Sequence, residues 1–90
     1  MDYATTSIAS RIEWCRQQGT QAHAPLELEG WHAEEEGLHD ALFNRDHTDQ
    51  YRRGPTTVFV RYVMGLQDGQ AMIRTAGVVQ HFPTPAQRHV

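Results

Sequence analysis

The longest patterned apolar run, TTVFVRYVMGLQDGQAMIRTAGVVQHF at residues 56–82, alternates well enough with a period of two to predict a β-hairpin. Asp68-Gly69 supplies the turn, because a two-residue type I′ loop needs positive φ at both central positions and these residue types tolerate it. Folding there sets Val58, Val60, Tyr62, Met64 and Leu66 against Ala71, Ile73, Thr75, Gly77 and Val79 on one apolar face. The reverse face takes Thr57, Phe59, Arg61, Val63 and Gln67 opposite Gln70, Arg74, Ala76, Val78 and Gln80, so a single register makes an inside and an outside.

Upstream the period changes. Ala4, Ile8, Ile12 and Cys15 form one helical stripe, which predicts a helix over residues 2–18 with Asp2, Thr5, Thr6 or Ser7 as cap and Gly19 as its left-handed end. Residues 19–25 read as a linker. In LELEGW, Leu26 and Leu28 alternate with Glu27 and Glu29, the pattern of a short third strand beside the hairpin. Trp31, Leu38, Ala41 and Leu42 share a side, predicting a second helix over 31–43 that Gly37 weakens. NRDHTDQYRRGP, residues 44–55, has no apolar period and reads as a loop, and PTPAQRHV, residues 83–90, as an extended tail. The expected architecture is α+β in the order α-β-α-β-β, one domain over 1–82 and a tail over 83–90.

Composition narrows the function classes. A chain of 90 residues with 39% hydrophobic and 21% charged residues suits a single soluble domain with a small core. The lone Cys15 leaves no internal disulfide, and no leader pattern or long apolar run is present, so the expectation is a cytoplasmic protein with no membrane partner. The stripe position of Cys15 predicts a buried, unreactive thiol.

Charge is segregated along the chain. Glu27, Glu29, Glu34, Glu35, Glu36, Asp40, Asp46 and Asp49 stand against Arg45 alone, and Arg52, Arg53, Arg61, Arg74 and Arg88 follow against Asp68. Lysine is absent, which removes lysine-based phosphate loops and Schiff bases. There is no nucleophile elbow, glycine-rich phosphate loop or dinucleotide fingerprint, and no cofactor is expected. The loop with Asn44, Asp46, Thr48 and Asp49 lacks the glycine and glutamate positions of a calcium hand.

The acidic run is the expected contact surface. Carboxylates on a helix imitate a row of phosphates, so Glu27, Glu29, Glu34, Glu35, Glu36, Asp40, Asp46 and Asp49 would meet a basic groove on another protein. In size and charge the chain resembles small acidic inhibitors encoded by phages, anti-CRISPR proteins among them, which implies a non-catalytic stoichiometric inhibitor. The outer hairpin face, with Phe59, Arg61, Val63, Met72, Arg74 and Val78, is expected to form a homodimer seam or a secondary contact. Two alternatives use other residues. Arg61 and Arg74 beside Phe59 could track nucleic acid on a β-ribbon. In HAEEEGLH, His32, Glu35, Glu36 and His39 fall on one helical arc and could hold a metal ion.

Overall fold

A computed structural model describes residues 3–81, with side chains through Ala76, and every regular element in that span is a helix: α1 (Tyr3–Thr20), α2 (Pro25–Phe43), α3 (Thr48–Arg52) and α4 (Thr56–His81). The α+β expectation is thereby corrected, since no strand occurs among the described residues. The hairpin is instead one helix, α4. Val58, Tyr62, Leu66 and Ala76 bury, while Val60, Met64 and Ile73, assigned by alternation to the inner face, are exposed. The spacing of the buried set is helical, and a 26-residue stretch free of proline is long for one hairpin yet ordinary for one helix. Asp68-Gly69 makes no turn, for no glycine among the described residues has positive φ.

The expected third strand is the first turn and a half of α2. Pro25 opens that helix at a position where its missing N–H costs nothing. Leu26 and Leu28 both face outward, so their alternation marks no buried side. At the other end Asn44 adopts φ 58° and ψ 47°, and the N–H of Arg45 reaches the carbonyl of Asp40 at 2.7 Å, closing the helix. Within residues 44–55, expected to be loop throughout, Thr48–Arg52 coils into α3. α1 follows its predicted stripe, with Ala4, Ile8, Ile12 and Cys15 buried, but continues through Gly19, which is helical and buried rather than a left-handed end. Thr5, Thr6 and Ser7 lie inside α1; Asp2, Phe82 and the 83–90 tail fall outside the described residues.

The centre of the molecule is the contact between α2 and α4, which run parallel. Gly30 lies beside Arg61, Glu34 beside Gly65, and Ala41 beside Gly69. At the crossing the backbones nearly touch: a Cβ on Gly37 would stand 2.4 Å from the carbonyl oxygen of Tyr62, and one on Gly65 2.1 Å from that of Glu34. Only glycine permits such an approach. A parallel pair needs a return path, and the segment carrying α3 provides it. α1 lies antiparallel across the pair, bringing Ile8, Ile12 and Cys15 against Trp31 and Leu38, while Ala33, Ala41, Val58, Tyr62 and Leu66 make a second apolar cluster. No helix of the described residues is long and apolar enough to cross a membrane.

Candidate functional site

The carboxylates expected on one acidic face are divided among several neighbours. Glu34 is fully buried, held by Arg11 Nη2 at 3.0 Å from α1 and by Arg61 Nη1 at 2.9 Å from α4. Arg11 also donates to Asp68 at 2.9 Å, and the Arg61 guanidinium lies 3.9 Å from the Trp31 ring centroid. Glu35, one residue on, turns to Arg16 at 3.0 Å. Glu36 turns the other way and accepts the Tyr51 hydroxyl. Successive residues on a helix differ by about 100°, so a run of three glutamates addresses three directions. Glu27 accepts the N–H of His23, Asp46 accepts the N–H of Thr48 at the start of α3, and Asp49 pairs with Arg52; Glu29 is exposed.

The outer-face set of the hairpin is likewise redistributed by helical geometry. Arg61 belongs to the buried ion pair and Met72 packs against the α1 cluster. Phe59 and Val63 are half-buried on another arc, Arg74 is exposed, and Val78 lies beyond the described side chains. The β-ribbon that would have joined Arg61 to Arg74 is absent. Of the outer histidine group, His32 is exposed and His39 Nε2 is 3.9 Å from Glu35, while Glu36 faces away toward α3.

A polar cluster occupies the junction of α2, α3 and α4. Asp40, nearly fully buried, accepts the Tyr62 hydroxyl at 2.6 Å on the same oxygen that meets His47 Nδ1 at 2.7 Å. The Tyr62 oxygen in turn accepts the His47 N–H at 2.7 Å. Glu36 lies 3.5 Å from the same imidazole, and the rings of Tyr51 and Tyr62 stack with centroids 4.4 Å apart. Burial first, and then the carboxylates of Glu36 and Asp40, push both phenols well above the usual tyrosine range, so they stay donors. The hydrogen bond to Asp40, followed by its charge, raises His47. Sequence reasoning left His47 in the 44–55 loop and passed over Arg11, Tyr51 and Tyr62 as site residues. Tyr62 was recoverable from a helical period through Val58, Tyr62 and Leu66; nothing in the local sequence places His47 beside Asp40.

On another side of the molecule, α2 and α4 diverge at their N-terminal ends and leave an open groove of about 570 Å³. Its walls are Leu26 on α2 and Val60 and Met64 on α4, which are 49%, 48% and 40% exposed. Gly30 and Arg61 form the floor, with Glu27 beside them on α2, and Thr56 and Thr57 close one end. Nucleophilic chemistry has little to work with among the described residues. Burial pushes the Cys15 thiol up to about 12, with Glu34 adding to the effect, so it remains protonated in the core.

No family model, curated protein or solved structure matches this chain.

Proposed function

We propose that this is a non-catalytic interaction protein that seats an amphipathic helix of a partner protein in the groove between α2 and α4. The observation that carries the reading is the exposure of Leu26, Val60 and Met64 on facing walls of one cleft. Val60 and Met64 stand one helical turn apart, the spacing that receives apolar side chains of a second helix. Charge sets the orientation. Glu27, on the first turn of α2, is the acidic residue of the lining, while Arg61 is committed to Glu34, so a cation on the partner is favoured at that end. Occupancy alone is how a stoichiometric inhibitor acts. The apolar groove is preferred over an acid row as the contact surface because Glu34 and Asp40 are buried and Glu35, Glu36, Asp46 and Asp49 have partners within the chain.

Panning a library of helical peptides against the wild type and Val60→Asp tests this directly. The expected result is a set of peptides with apolar residues four apart and a basic residue near one end. Their binding should be at least about tenfold weaker to Val60→Asp, the cost of setting a charge in an apolar contact, while its thermal unfolding is unchanged. Peptides that bind both proteins equally, or no selected peptide at all, would refute the assignment. So would sedimentation showing a wild-type dimer that Val60→Asp splits, since the groove would then be filled by a second copy.

A further inference from the structure

We infer that Glu36, Asp40 and His47 form a binding site for a first-row transition-metal dication such as Zn²⁺. One oxygen from each carboxylate and a ring nitrogen of His47 lie within 4.8 Å of one another, close enough to share one ion. The set is mixed in chemistry and in origin. Glu36 and Asp40 are one turn apart on α2, whereas the imidazole arrives from the residue preceding α3 with Nδ1 directed at Asp40. Imidazole together with carboxylate oxygen selects zinc and its neighbours over calcium or magnesium, which take oxygen alone.

Three further features are those a metal site requires beyond its ligands. The carboxylates are already oriented by outer hydrogen bonds, Asp40 by the Tyr62 hydroxyl and Glu36 by the Tyr51 hydroxyl. An entry path exists, because the side chains of Glu36 and His47 are 42% and 38% exposed while Asp40 lies at the bottom of the site. A replaceable charge is present too. When His47 carries a proton on Nδ1, that proton bridges to Asp40, and a metal at the same nitrogen takes its place and releases it to solvent. Two carboxylates sharing one imidazolium leave one formal negative charge, which a dication offsets more fully than a proton does. The site has no residue in common with the α2–α4 groove, and its failure would leave the groove assignment untouched.

Titrating the untagged chain with Zn²⁺ by calorimetry at pH 7.5 gives the test. The expected outcome is one ion per chain, with affinity falling as pH drops and His47 gains its competing proton. His47→Ala and Glu36→Gln should each weaken binding about tenfold or more, whereas His32→Ala/His39→Ala leaves it within about twofold. Mg²⁺ should not compete. Circular dichroism checks each fold, and if His47→Ala does not fold, Glu36→Gln at the half-open edge carries the test by itself. The inference is overturned by absence of saturable binding in the wild type. It is also overturned if the loss is confined to the His32/His39 variant or shared equally by all variants, for the ion would then sit elsewhere.

Discussion

At the scale of single residues the decisive group is Glu34. A carboxylate taken wholly out of water is stable only with its charge matched, and here two guanidiniums approach its two oxygens from different helices. Removing it by Glu34→Ala leaves Arg11 and Arg61 facing each other at the edge of the core. Loss of one side of a buried pair costs about 3 to 5 kcal/mol, and partial exposure of both arginines, near a third, sets the expected loss at the lower end, about 3 kcal/mol. Its neighbour gives the contrast. Arg16 is 56% exposed, so Glu35→Ala should cost less than about 1 kcal/mol. Urea unfolding of both variants decides the matter, and equal losses would contradict the assigned roles. Two identical neighbours thus differ several-fold in consequence.

At the scale of elements, the close crossing of α2 and α4 governs what the sequence can tolerate. Alanine is a better helix former than glycine by about 1 kcal/mol, so on propensity alone Gly65→Ala would stabilise α4. The added Cβ would lie 2.1 Å from the carbonyl oxygen of Glu34, a backbone atom that cannot move aside, and the helices would have to separate. Net destabilisation of about 1 to 3 kcal/mol is expected, as for overpacked cores, whereas Gly54→Ala, whose Cβ would meet the Tyr51 carbonyl oxygen at an ordinary 3.6 Å, should stay within about 0.5 kcal/mol. Thermal unfolding of the pair of variants measures it. The same glycines explain what could be read in advance. α1 was legible because Ala4, Ile8, Ile12 and Cys15 keep a helical period, Cys15 breaking the alternation that the first three would also satisfy. α2 was legible from Trp31 onward, but its first turns were hidden by a chance alternation of leucine and glutamate. α4 was misread because a dense apolar run satisfies two periods at once and Asp68-Gly69 has the composition of a turn. Gly65 and Gly69 stand four apart, as do Ala33, Gly37 and Ala41, and that spacing on both helices was the available sign of close packing. The polar cluster was less legible still, since Glu36, Asp40, His47, Tyr51 and Tyr62 meet only once α3 folds back on the parallel pair.

At the scale of the whole molecule, His47 ties the return segment to both central helices, and its protonation couples pH to overall stability. Asp40 and Glu36 on α2 and Arg45 and Asp46 in the connection are the charged groups around it, with the phenols of Tyr62 on α4 and Tyr51 on α3 beside it. Its affinity for a proton is higher folded than unfolded, so protonation favours folding. That contribution is complete below the unfolded value of about 6.5 and fades as pH rises through the raised folded value. In the presence of chelator, the difference in melting temperature between wild type and His47→Gln should therefore be larger at pH 5.5 than at pH 8.5; an equal difference, or a reversed one, would count against the coupling. The parallel pair that His47 helps to hold has one alignment. A slide of α4 along α2 by one turn would still present a glycine, Gly69, to the Glu34 carbonyl, but it would bring Ile73 to the place of Gly69, where even a single Cβ would stand 2.6 Å from that of Ala41. It would also carry Arg61 a turn away and strand the Glu34 carboxylate without its second cation. The crossing is thus keyed twice, by shape at one end and by charge at the other.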